Sequence, residues 1–403
     1  MSHMVRAQFV WCIVFLIQFP NTAAGPRGTG GYMWAVGDAP PDLATTFADR
    51  VHATVPSIRV GLLKSPSGVG AFPCIDCGPV GSPLFCNGGL PQLVNLTDHF
   101  RRLEHDLLTA RSIPPNYTGH IALDFEEWRA DMMQPPDAWG SARFAALYRN
   151  ASIAWAREQV GSEFPEGQLA AFAQAELATA MLRVLTETLR FLRGLFPSAA
   201  GVGLYGYPSK HYWPLPPGEN QSQADDALTA LYAASTALYP SIYLPYPSGV
   251  GEHHQTLARN TEYVDSVLRE SVRVARQHTG VDGQPLGVFP FAWYRYDDAT
   301  NDFLSANDTA LEFVRPLGFD GVRSVVVWGK EKTAADIANV ERYFVENAAL
   351  LNTGAPPIEK AESQPQGTSA AWRERRSEPN VFALAPRHFA STSKVPPYTP
   401  CSL

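Results

Sequence analysis

The sequence predicts an α/β fold of the TIM-type (β/α) barrel, with a distorted seven-stranded form as a variant, and three observations lead there. Short β-branched apolar runs alternate with longer helical patterns from residue 32 to about 351. Several of the runs are nearly continuous in apolar residues, as strands covered on both faces require. No Walker-type phosphate loop occurs, which weakens the rival doubly wound, nucleotide-binding sheet.

Taken in order, the expected strands are "YMWAVG" (32–37), "SIRVGLL" (57–63), "HIALDFE" (120–126), "GVGLYGY" (201–207), "SIYLPY" (241–246), "LGVFPFAWY" (286–294) and "VRSVVVW" (322–328). Helices are expected between and after them, at 92–110, 141–160, 166–195, 222–238, 255–278, 303–316 and 333–350. The stretch at 166–195, rich in Ala and Leu and closed by Pro197, is the clearest of these. Residues 64–91, dense in Gly, Pro and Cys, read as a long loop past the second strand, where a barrel places its catalytic face.

Domain organisation follows from composition. A basic start, the apolar core "FVWCIVFLIQF" and small residues at Thr22 and Ala24 describe a signal peptide over 1–24. Residues 25–355 form the barrel domain, and 356–403, polar and proline-rich, form a tail. No stretch after the leader reads as transmembrane. The formal net charge of −7 argues against nucleic acid as a partner. Five Asn-x-Ser/Thr sequons, at Asn95, Asn116, Asn150, Asn220 and Asn307, fit a secretory or lysosomal route. Cys74, Cys77, Cys86 and Cys401 remain after the leader and read as structural disulfides, with three pairings open. "CIDC" has no second pair at zinc spacing, and His253-His254 has no third ligand nearby, so neither metal nor cofactor is expected.

The chemistry concentrates in "IALDFEEWR" (121–129). Side chains alternate along a strand, so Ala122, Asp124, Glu126 and Trp128 share one side and Leu123, Phe125 and Glu127 the other. The α-carbons of Asp124 and Glu126 are then about 7 Å apart, from a rise of about 3.3 Å per residue. Two carboxylates this close split their affinities for a proton, leaving an acid beside an anion near neutral pH. Glycoside cleavage needs that pair, because the leaving oxygen is protonated as positive charge grows on the anomeric carbon. A solvated strand end whose acids bind Arg129 or cap a helix is the plainer alternative.

Neighbouring blocks decide between them. "DFEEWR" (124–129) resembles the D-W-E-x-W-R signature of the hyaluronidase family of glycoside hydrolases, with Phe125 for Trp. "GGLPQ" (88–92), "LYGYP" (204–208), "ALYPSIYLP" (237–245), "YRYDDATNDFL" (294–304) and "VVVW" (325–328) are similar to further blocks of that family, in the same order. The resemblance implies a secreted endo-β-N-acetylhexosaminidase acting on hyaluronan or chondroitin. Its mechanism would be retaining and substrate-assisted, in a monomer with a glycosaminoglycan as its partner. It implies Glu126 as general acid and base, and Asp124 as the residue orienting the acetamido group. Tyr205 and Tyr243 would hydrogen-bond in the same pocket, Trp328 would close its far side, and Asp297 would line the cleft. The chain departs from the family in lacking its core disulfides. Ser209 stands for an acid and Val267 for a helix arginine, with Arg269 close by. The same chemistry on another N-acetylhexosamine polymer, and a silent glycan-binding protein, are the alternatives.

Overall fold

The computed structural model describes residues 31–36, 58–63, 69–75, 85–126, 128–130, 142–161, 164–209, 212, 220–249, 256–280, 282–297, 301–329, 331 and 333–352. The expected leader, tail, Glu127 and the His253-His254 pair lie outside them.

Ten strands are seen among these residues: β1 (Gly31–Val36), β2 (Ile58–Leu63), β3 (Cys74–Ile75), β4 (Phe85–Cys86), β5 (His120–Phe125), β6 (Gly201–Leu204), β7 (Ala237–Leu238), β8 (Gly287–Val288), β9 (Phe291–Trp293) and β10 (Ser324–Trp328). Six make a sheet in the order β6-β5-β2-β1-β10-β9, and every pairing in it is parallel. β7 and β8 pair separately, also parallel. Single parallel bridges join the two sheets: Tyr205 to Tyr239, Ser241 to Phe291, and Val288 to Val322.

Parallel strands need crossovers, and helices supply them. The helix Glu166–Leu195 lies between β5 and β6 and buries Leu169, Ala173, Leu177, Met181, Val184, Leu189 and Leu192, a stripe at helical spacing. By length and composition it is able to cross a membrane. Its stripe belongs instead to the main core, with Ile121, Leu123 and Val202 of the sheet. Other helices begin on side-chain caps. Asn95 accepts from the N–H groups of Thr97 and Asp98, Thr256 from Arg259 N–H, and Thr333 from Asp336 N–H.

The pleat of β5 divides two cores. Ile121, Leu123 and Phe125 face the helices. Ala122 faces a second cluster of Met33, Ala237, Tyr239, Phe289, Phe291 and Val326, drawn from strands around the sheet. Gly201 and Gly203 let β6 close on this inner layer, since a Cβ on Gly203 would stand 2.2 Å from the Ala237 carbonyl oxygen.

Several expected elements differ from the structure, among them the strand at 286–294, which is two, β8 and β9, parted at Pro290. The strand expected at 241–246 comes earlier, at Ala237–Leu238, and continues only as single bridges. Pro240 and Pro245 have no N–H to give a ladder there. The helix expected at 222–238 is two short ones, Gln221–Asp226 and Thr229–Ala234, followed by β7. The helix expected at 303–316 starts at Ala306, loosens into a π turn at Ala310–Val314 and tightens over Arg315–Gly318, where Pro316 offers no helical N–H. The loop at 64–91 contains the hairpin β3–β4, which sets the buried Cys74 and Cys86 opposite each other.

Candidate active site

β5 delivers the acids. Asp124 is buried one residue before its end, and Glu126, just past the strand, is exposed. The alternation stops with the strand, so Trp128 does not share the face of Asp124 as the sequence predicts. Its ring packs edge-on to Phe125 at 4.8 Å, and its indole N–H donates to the Pro73 carbonyl at 2.8 Å. Arg129 is also buried. It donates to the Gly206 carbonyl at 2.7 Å and lies 4.0 Å over the Tyr207 ring. The Tyr207 hydroxyl accepts from Ala130 N–H at 3.1 Å. Together these contacts fasten the acid-bearing turn to the loop after β6 on one side and to Pro73 on the other.

Tyr205 follows β6, its backbone N–H donating to Leu123 across the sheet. Its hydroxyl donates to Ser241 Oγ at 3.2 Å, and its ring stands 6.1 Å from that of Tyr243. Burial holds the Tyr205 phenol well above its usual pKa, with the charges of Glu126 and Asp124 adding to the rise. Tyr243 is raised too, by burial first and then by Tyr205 and Asp124. Both hydroxyls therefore stay protonated at ordinary pH. Trp328 ends β10 and stacks on Tyr243 at 5.9 Å, and Trp293 meets Trp328 at 5.0 Å.

Of the six residues singled out by sequence, the structure brings Asp124, Glu126, Tyr205, Tyr243 and Trp328 to the carboxyl ends of parallel strands. Asp297 is exposed in the loop after β9, its N–H donates to the carbonyl of Leu244, the residue after Tyr243, at 2.9 Å, and its charge acts on Tyr263 and Glu312. Among the described residues, no group of three or more His, Cys, Asp or Glu side chains is placed to hold a metal ion. Val267 is buried, and Arg269 pairs with Glu262 at 2.8 Å on the outer face of its helix. The five sequon asparagines are all exposed.

Sequence reasoning passed over Trp293 and Glu312. Glu312 is fully buried and accepts from the backbone N–H groups of Leu244 at 2.7 Å and Trp293 at 2.9 Å. Burial raises its pKa well above the ordinary value, and the two N–H donors oppose that rise. The available signal was a single acid inside the apolar run "ALEFV", a position that is costly unless hydrogen-bonded.

Paired acids beside tyrosines and a tryptophan, at the carboxyl ends of parallel strands, define the class as a glycosidase-like α/β protein. The hyaluronidase family model matches residues 66–349, and the chain belongs to that family of glycoside hydrolases. It is 28% identical to the hyaluronidase of Apis mellifera over 315 residues, covering 75% of this chain and 73% of the relative. Against human hyaluronidase-1 it is 31% identical over 291 residues, 69% of this chain and 61% of the relative. Against human hyaluronidase PH-20 it is 29% identical over 292 residues, 70% of this chain and 51% of the relative. The chain thus spans about half the length of PH-20. The crystal structure of bee venom hyaluronidase in complex with a hyaluronic acid tetramer superposes with a TM-score of 0.65 at 22% identity, covering 80% of this chain and 99% of that one. This likeness shows a shared fold.

Proposed function

We propose that this chain is a retaining endo-β-N-acetylhexosaminidase that hydrolyses hyaluronan or chondroitin on a parallel barrel closed at seven strands. The bridges from Tyr205 to Tyr239 and from Ser241 to Phe291 support the closure. The single observation that carries the reaction is the convergence of Asp124, Glu126, Tyr205 and Tyr243 on one strand-end cluster, with electrostatic coupling among them.

In this reading the substrate's acetamido carbonyl oxygen is the nucleophile. It forms a bond to the anomeric carbon as the glycosidic C–O bond breaks, and Glu126 gives its proton to the departing oxygen. Exposure suits Glu126 to this, since it meets both the polymer and water. Asp124, buried beneath, supplies a negative charge to the acetamido nitrogen as positive charge develops there. Tyr205 and Tyr243, kept neutral, offer hydrogen bonds that fix the acetamide in line. Water then opens the cyclic intermediate with Glu126 as base, and two inversions leave the configuration retained. Trp328 gives the sugar an apolar face to lie on, and Asp297 lines the outer cleft. The leader expected from the sequence and the sequons support action in a secretory lumen or outside the cell.

The test incubates purified protein with hyaluronan, chondroitin and chitin oligosaccharides from acidic to neutral pH, beside Glu126→Gln. The reading expects cleavage of hyaluronan or chondroitin, lost by at least roughly a hundredfold in the variant, as for removal of a general acid. Cleavage of none of the three, or full activity in Glu126→Gln, would refute it.

A further inference from the structure

The parallel ladder between the β7 segment and β9 is interrupted at the pocket, and a side chain fills the gap. Phe291 N–H donates to the Pro240 carbonyl at 2.8 Å, and Ile242 N–H to the Phe291 carbonyl at 3.0 Å. In a regular parallel ladder the next rung would run from Trp293 N–H to Ile242, and from Leu244 N–H to Trp293. Both donors turn instead to Glu312, at 2.9 and 2.7 Å, one on each carboxylate oxygen. Pairing resumes with a different register. Leu244 accepts from Asp297, whereas continuation of the first rung would bring residue 295 there. The chain after β9 therefore carries two extra residues past the interruption.

Glu312 is a wedge between two strands. It comes from the π turn Ala310–Val314, where the widened helix aims an acid at the sheet. The split it holds open lies between Tyr243, next to Leu244, and Trp293, whose rings are 6.1 Å apart with Trp328 against both. Two N–H donors arriving side by side need two acceptor oxygens on one rigid plane, which a carboxylate provides. Glutamine offers one acceptor and sets an amide N–H against the other donor.

Resting on the pocket assigned above, we propose that Glu312 is a positioning residue: its carboxylate replaces one rung of the barrel ladder and so sets the spacing of Tyr243 and Trp293 that admits the substrate's acetamido group. It touches no reacting atom and acts through those two strands.

The test compares Glu312→Gln with its parent, both in a Glu126→Gln background so that ligand binds without turnover. Tryptophan fluorescence follows titration with an oligosaccharide carrying 2-acetamido groups and with its 2-hydroxyl counterpart. The parent is expected to prefer the acetamido ligand, and Glu312→Gln to lose that preference by roughly tenfold, about the worth of one hydrogen bond of 1.4 kcal/mol. Asp265→Asn, which breaks the ion pair to Arg315 below the same helical segment, is expected to lower Tm and keep the preference. If the parent shows no acetamido preference, the pocket reading fails and the proposal with it. If the parent shows one that Glu312→Gln retains, or that Asp265→Asn loses equally, the wedge alone is overturned. Hydrogen exchange on the unaltered protein adds a check free of any folding defect. The Leu244 and Trp293 amides, which donate to Glu312, are expected to be protected, and rapid exchange of either would refute the wedge.

Discussion

Acid should destabilise this protein through two buried histidines. His99 is fully buried, with Nδ1 accepting from Ala71 N–H at 3.0 Å and Nε2 facing Thr188 Oγ1 at 3.0 Å. The Thr188 hydroxyl donates to the Val184 carbonyl at 2.6 Å, so its oxygen takes the proton on Nε2, which assigns the neutral tautomer. A proton on Nδ1 would confront the Ala71 N–H. His120, at the start of β5, meets the Tyr239 hydroxyl at 2.9 Å and the Phe289 ring at 4.3 Å. Burial lowers both histidines from 6.5 to about 4. Their folded pKa values lie below the unfolded one, so the charged form is favoured only in the unfolded chain. Stability is complete above pH 6.5 and falls as the pH drops towards 4, where the loss levels off. At about 1.4 kcal/mol per pKa unit, each histidine removes about 3 kcal/mol across that window. Together they take a large part of the ~5–15 kcal/mol that holds a typical domain. Urea unfolding in half-unit steps from neutral pH to 4 measures the slope for the wild type and for His99→Gln, His120→Gln and the double variant. Carboxylates contribute equally to all four proteins, so the difference in slope belongs to the histidines. A double variant with the wild-type slope would refute the reasoning.

Four further outcomes are expected. Gly203→Val drives a side chain into the Ala237 carbonyl, forces β6 from β7 and should cost about 3 kcal/mol, seen as a lowered thermal midpoint. Tyr243→Phe should lower kcat by roughly tenfold to a hundredfold with little change in stability. Tyr148→Phe, which removes an acceptor for Ile75 N–H, should cost about 1 kcal/mol of stability and leave kcat alone. Arg129→Met should free the acid-bearing turn from the Gly206 carbonyl and the Tyr207 ring, reducing kcat/KM by more than its loss of stability predicts.

Much of the sheet was legible because strand signals are local. "HIALDF" and "SVVVW" are apolar on both faces, and they form β5 and β10 with ends close to those predicted. The helix at 166–195 was found to the residue, since one long stripe fixes both its length and its buried face. The element at 241–246 was misplaced because Ile242 and its aromatic neighbours satisfy the strand pattern while Pro245 has no N–H and that of Leu244 is claimed from elsewhere. The acceptor for Leu244 lies sixty-eight residues away on Glu312. Trp128 was assigned to the wrong side because alternation holds only while the strand lasts.

By itself the sequence determined that parallel strands would carry Asp124 and Glu126 at a strand end, because both follow from short-range pattern. It also marked Tyr205, Tyr243 and Trp328 through their resemblance to family blocks. Tertiary structure alone decided that Asp124 is buried while Glu126 meets solvent, and that Arg129 and Trp128 fasten their turn. Only the assembled fold shows the Glu312 carboxylate taking the place of a rung. The physical reason is that a hydrogen-bond partner is fixed by which strands lie side by side, and no periodicity within one segment carries that information.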